Sequence, residues 1–482
     1  MSRRLIAARG ELIPLSWWLV LAGVLALGLS VHWLAALALL ALVVLQTTRP
    51  LEFLPAYLTV VTAASFVNYT RGQLTAELAL LSVGIVFMLI CYVLGRGERV
   101  LAVPRTLMTL PVLLYLALSI VNLLRGLAAG NSARYAGLEI LSVLALSSSL
   151  LVANRVLDDR RLRWMVLWLW ITGIGHVALG FYIYSIIHVR TGSIYFTPVP
   201  GVIAALLLSF AFRARRAGHA LAWTLAIIPL LMHQFLSFTR GYWLGLIGAS
   251  AFSIIAFLIG PSGVTSRIRR VALVTGSLTV GGLIGAWILS IVYGIHGLGE
   301  LAASRFSSAL GTKYSFETSS NIVRLVEYGR VLSDIIRAPI QGHGLGYYFV
   351  VREPIHLKLI EQWFVHENYL LVWLKQGLIG LILFIWIQVS GVWAGWRGRT
   401  LRSEIANSWC LGTAAASVYV LIYCLVHFPL AEVNTTFLMA LLWGGTMSLT
   451  ATGHVVLTWR PPQRELIDSR NPRVAIAAAR LE

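Results

Sequence analysis

Aspartate is scarce in this sequence: Asp158, Asp159, Asp334 and Asp468 are all it has. A carboxylate-bound metal centre needs clustered acids, usually one residue apart, and the adjacent pair Asp158-Asp159 sits among Arg155, Arg160, Arg161 and Arg163. No Asp-x-Asp metal centre is to be expected. Cysteine is rare too. Cys91, Cys410 and Cys424 all fall inside apolar runs, where a thiol behaves as a small hydrophobe, and this leaves neither a disulfide framework nor a zinc site. Charged residues make up only 12% of the chain. Stretches of roughly 17–25 residues carry no charge at all, the length a helix needs to cross a hydrocarbon core of about 30 Å. These runs are continuous, without the period-two alternation of a membrane barrel.

What the chain has instead is apolar surface: 58% of its 482 residues are hydrophobic and its mean hydropathy is +0.80. A soluble core cannot hide that much, so an all-α, polytopic integral membrane protein is expected. The net charge of +19 fits arginine collected in cytoplasmic loops better than nucleic-acid binding. Charge and Gly/Pro punctuation mark about 12–14 spans, starting near Trp17, Val31, Leu51, Glu77, Leu107, Gly137, Trp164, Ile194, Leu221, Tyr242, Val271, Tyr369, Ala406 and Val433. Arginine-rich loops at 96–105, 155–163, 213–216, 267–270 and 397–402 alternate with sparser ones, which puts both termini inside. The first apolar segment, after Arg3, Arg4 and Arg9, reads as a retained helix and not a cleaved signal. The organisation expected is an N-terminal bundle over 1–296, a large extracytoplasmic loop over 297–368, further spans over 369–452 and a flexible cytoplasmic tail over 453–482.

The loop breaks the positive-inside pattern with Arg305, Lys313, Arg324, Arg330, Arg337, Arg352 and Lys358, as long translocated loops do. Within it Ile322, Val323, Leu325, Val326, Leu332, Ile335 and Ile336 recur at helical spacing before Pro339, predicting an amphipathic helix along the membrane surface. Three more features stand at helix ends on the same predicted side: Arg190, Arg240 beside Tyr242 and Trp243, and His366. Each has a plain alternative. The arginines are ordinary interfacial anchors unless a ligand anion is near, and the histidine is an interface residue unless it faces a substrate. Glu361 and Glu367 either orient the His366 imidazole or are solvated charges, and His343 is a turn residue or a substrate contact.

Order and spacing favour the functional readings. Asn321-Ile322-Val323-Arg324 is followed by Ala338-Pro339-Ile340-Gln341-Gly342-His343-Gly344-Leu345-Gly346, then by His366-Glu367-Asn368-Tyr369-Leu370, and then by Gly377-Leu378-Ile379-Gly380-Leu381. Upstream lies Thr239-Arg240-Gly241-Tyr242-Trp243-Leu244-Gly245. This order resembles the O-antigen ligase and Wzy-type polysaccharide polymerase superfamily of bacterial membranes, over roughly residues 190 to 390. Two departures stand out. Glu367 occupies the place of the family's asparagine after the histidine, and Thr197-Pro198-Val199-Pro200 replaces an Asn-Pro-Asn-like turn.

The resemblance implies a GT-C-like inner-membrane glycosyltransferase with its site facing the periplasm, inverting, metal-independent and without a cofactor. Its donor would be an undecaprenyl-diphosphate-linked glycan and its acceptor a hydroxyl on a polysaccharide, a lipid-linked repeat or a lipid A core, with membrane lipid and other polysaccharide-assembly proteins as partners. Arg190, Arg240 and Arg324 would hold the diphosphate, since Arg forks match phosphate oxygens. His366 would be the general base, with Tyr369, Glu367, His343 and Glu361 in support. The rival is a lipid-linked glycan flippase. That activity calls for paired ionisable residues within the membrane, and Glu139, His176 and Lys375 form no recognisable pair in sequence.

Overall fold

The computed structural model describes residues 100–154, 157–187, 197–237, 239–259, 263–293, 316–352, 359–451 and 454–458. The spans expected near Trp17, Val31, Leu51 and Glu77, together with Arg190, the loop over 297–315 and the tail beyond 458, lie outside the described residues. Among the described residues there are eleven α-helices: α1 (Thr109–Ala128), α2 (Ala133–Ala153), α3 (Asp159–Ile187), α4 (Val199–Arg213), α5 (Ala217–Leu236), α6 (Arg240–Leu258), α7 (Val264–Tyr293), α8 (Phe316–Arg337), α9 (Asn368–Arg397), α10 (Glu404–Tyr423) and α11 (Val433–Thr450). Two antiparallel strand pairs complete the fold, β1 (Val100–Pro104) with β4 (His454–Thr458) and β2 (Phe349–Arg352) with β3 (Leu359–Gln362).

Every expected span that falls on described residues has a helix starting within about two turns of it. Among the described residues six segments are long and apolar enough to cross a bilayer, as in a multi-pass membrane protein: α1, α2, α6, residues 264–288 of α7, α9 extended to Thr400, and α10. The span expected near Ile194 is different. Its place is taken by α4, a 15-residue helix that starts only after Pro198 and has Pro200 in its first turn. This helix is buried along nearly its whole length, as an element apolar on all sides must be. Helices α3, α5, α6 and α10 surround it. Small residues let neighbours approach closely: Gly444 of α11 meets the Ser149 carbonyl of α2, and Gly412 of α10 meets Leu206 of α4. At the other extreme α7 leaves Leu283, Trp287 and Ile291 exposed, a lipid-facing surface.

The helix expected within the loop is α8, and it ends just before Pro339 as predicted. Its orientation is the surprise. Glu327 and Asp334 face inward beside Val331 and Ile335, all nearly inaccessible, while Ile322, Leu325, Val326, Leu332 and Ile336 face outward.

The turn after α8 is built into α9. At Gly377 the helix breaks, with φ +70°, and a side chain there would overlap the Ile340 carbonyl. Only glycine accepts both conditions. The freed Leu378 N–H donates to the Pro339 carbonyl at 3.0 Å, while His343 N and Gly344 N donate to the carbonyls of Leu374 and Lys375, both at 2.8 Å. The Pro-x-x-Gly-x-Gly and Gly-x-x-Gly stretches therefore meet in space. On its other side the turn touches α1 and α2: Leu345 N donates to Asn122 O at 3.1 Å, and Glu139 of α2 accepts from Gly346 N at 2.7 Å. Lys375 closes the joint, donating to Glu139 at 2.5 Å and to the Tyr347 carbonyl. Glu139 and Lys375 are thus a buried ion pair, which their separation in sequence concealed. His176 is not part of it, its Nδ1 lying 2.9 Å from the Thr172 carbonyl of its own helix.

Candidate active site

The end of the bundle where α9 and α11 begin and α10 stops carries the candidate site. Glu367 caps α9, its carboxylate accepting from Tyr369 N at 3.1 Å and Leu370 N at 2.5 Å, which satisfies donors every helix start leaves orphaned. Burial raises this carboxyl to about 7, against the pull of the two backbone donors. Asn368 ties α9 to the segment after α10: its N–H donates to the Cys424 carbonyl at 2.9 Å and its side-chain oxygen accepts from Leu430 N at 3.2 Å. Tyr369 donates its hydroxyl to the Leu421 carbonyl at 2.8 Å. Behind this segment, inside the bundle, lies a cavity of about 60 Å³ bordered by Asn368, Lys375, Gln388 and Leu430.

His366 directly precedes the cap and is gripped by α8. Glu327 reaches its Nδ1 at 2.6 Å and its backbone N at 2.7 Å. A carboxylate only accepts, so Nδ1 carries a proton, and in the neutral imidazole Nε2 is then the nitrogen with the lone pair. Glu327 is fully buried, whereas the His366 side chain is 30% exposed, which suits a group that is oriented from behind and works in front.

Arg324 lies one turn before Glu327 on α8. Burial raises the Tyr328 phenol above its ordinary value, opposed by Arg324 and reinforced by Glu327 and Glu367, so these groups share one neighbourhood. A further histidine joins them. His427, four residues beyond α10, stacks on Tyr423 with ring centres 5.1 Å apart and on Phe428 at 4.6 Å. Phe428 in turn meets the His366 ring at 6.2 Å. Burial lowers the His427 imidazole to about 3, and the charges of His366 and Arg324 push the same way. Arg240 opens α6, and its neighbour Gly241 packs against Tyr423 and Val426, while the Tyr242 ring meets Tyr423 at 4.8 Å, tilted by 45°. The first turn of α6, which Arg240 opens, and the groups around His366 and Arg324 therefore both border the segment from Tyr423 to Phe428.

The remaining candidates sit elsewhere. His343 occupies the glycine turn, donating from Nε2 to the Asp334 carbonyl at 2.8 Å and stacking on Tyr347. Glu361 is exposed on β3, opposite Val350. The carboxylate on the imidazole is Glu327, not Glu361 or Glu367. Its signal was in the sequence: Glu327, Val331 and Asp334 are spaced i, i+4, i+7, an inner stripe of α8 masked by the longer apolar series on the other face. His427 also went unread, although it follows a span on the same predicted side as His366.

Among the described residues no group of three or more His, Cys, Asp or Glu side chains is arranged to hold a metal ion. Compared with known proteins, the chain matches no family model and no curated protein.

Proposed function

We propose that this protein is a membrane glycosyltransferase of the O-antigen ligase/polymerase type, moving a glycan from an undecaprenyl-diphosphate carrier to an acceptor hydroxyl on the periplasmic face of a bacterial inner membrane. The observation that carries the reading is the Glu327-His366 couple with Arg324 one helical turn away. His366 Nε2 takes the proton of the acceptor hydroxyl as its oxygen attacks the anomeric carbon. The bond from that carbon to the diphosphate breaks with its electron pair going to the phosphate oxygen, and a single displacement inverts the centre. Glu327 holds the imidazole in the acceptor tautomer and offsets the charge it gains. Arg324 and Arg240 meet the growing negative charge on the leaving diphosphate, where preplaced donors are most effective.

The flippase alternative gains one observation, the ion pair inside the bundle. Both partners also bond the backbone of the 342–347 turn, which makes the pair a fastening and not a relay free to change partners. The test is glycan transfer in membranes supplied with lipid-linked donor and acceptor. Arg324→Ala and His366→Ala should each lose on the order of 10²–10⁴-fold in rate. Full transfer by both variants would sink the mechanism.

A further inference from the structure

His427 has no part in the reaction as drawn, yet it occupies the centre of the site. Its ring is stacked on two others, Tyr423 at an interplanar angle of 10° and Phe428 at 13°. A ring so stacked and buried serves a ligand through the polar atoms of its edge. Its Nδ1 is buried and has no hydrogen-bond partner among the described residues. A buried N–H without an acceptor is rarer and costlier than an unfilled lone pair, so Nδ1 is the bare nitrogen and Nε2 carries the proton. His427 is then a fixed, uncharged donor within the electrostatic reach of His366 and Arg324.

We infer that His427 is a second substrate-contacting histidine of this site, donating from Nε2–H to an oxygen of the donor's diphosphate; this rests on the transfer reaction proposed above. An uncharged donor suits the position. A third cation beside Arg324 would make His366 a poorer base, because two neighbouring imidazoles compete for positive charge. A neutral imidazole stabilises the departing oxygen without that penalty. No proton changes hands at His427.

The test uses the full-length protein in lipid nanodiscs, with an undecaprenyl-diphosphate-linked oligosaccharide as donor, a glycan acceptor, and undecaprenyl diphosphate as a competing product. His427→Phe keeps the stack and removes the donor; His427→Gln keeps an N–H and loses the ring. His427→Phe should lower kcat on the order of 10–100-fold with the acceptor KM unchanged, the loss expected for one hydrogen bond to a charged group. It should weaken inhibition by undecaprenyl diphosphate by a similar factor. His427→Gln should recover most of both. Wild-type transfer by His427→Phe would overturn the inference, because the ring alone would then suffice, and so would a loss in the Gln variant as large as in the Phe variant, because an N–H at this position would then restore nothing. A fully active His366→Ala measured alongside would remove the underlying reaction and not His427 alone.

Discussion

Glu327 is the residue on which the proposed chemistry turns, because it fixes both the position and the tautomer of His366. Glu327→Gln keeps the shape of the contact and removes its charge. It should slow transfer by about 10–100-fold, the range seen where a carboxylate orients a metal-binding histidine, while thermal unfolding stays close to wild type; an unchanged rate would strip Glu327 of its role. Glu367 makes a different prediction. Its carboxyl is raised by burial to about 7, so its contribution to folding is fully present below the ordinary carboxyl range and is lost as pH rises through 7. His427, lowered to about 3, acts in the opposite sense, adding stability as pH rises toward 6.5. The clean measurement is therefore the difference between Glu367→Gln and wild type. The variant should gain in melting temperature relative to wild type between about pH 4.5 and 7.5, and a pH-independent difference would contradict the burial argument.

Helix placement was largely legible, since charge and proline mark where apolar runs stop, and α9, α10 and α11 begin within two residues of Tyr369, Ala406 and Val433. What could not be read was which elements meet. Nothing in the spacing of Glu139 and Lys375 announces a pair joined across 236 residues, nor does Gly377 announce that a turn from outside the bundle completes its helix. The same limit applies to α8, where the apolar period was visible but not which face turns inward. Removing one partner of a buried ion pair costs about 3–5 kcal/mol, and removing both costs less than the sum. Glu139→Leu and Lys375→Met should each lower the melting temperature more than half as much as the double variant does; additive losses would mean that the two side chains act independently.

For the whole molecule, the inverted amphipathicity of α8 bears on how the protein sits in its membrane. Ile336 is 76% exposed and Leu325 69%, while Glu327 and Asp334 on the other face are inaccessible. A water-facing helix would reverse that arrangement, and an interfacial one lays such a stripe into the acyl boundary. An environment-sensitive fluorophore on Ile336→Cys should emit further to the blue in vesicles than in short-chain detergent and be quenched by brominated lipid. A fully hydrated signal would place α8 away from the bilayer.

The break at Gly377 also limits how the site can open. A lid that swings on a hinge must leave its seat without stripping hydrogen bonds from what it covers. The Pro339–Gly346 turn lacks that freedom, because the carbonyl it lends to Leu378 N and the N–H groups it gives to Leu374 and Lys375 complete the backbone of a membrane-spanning helix. Lifting it would leave polar backbone bare beside lipid, at several kcal/mol for each group. The root of the loop behaves as part of the bundle wall, so under the transfer reaction proposed above the donor would have to reach His366 past a fixed rim and not beneath a swinging lid.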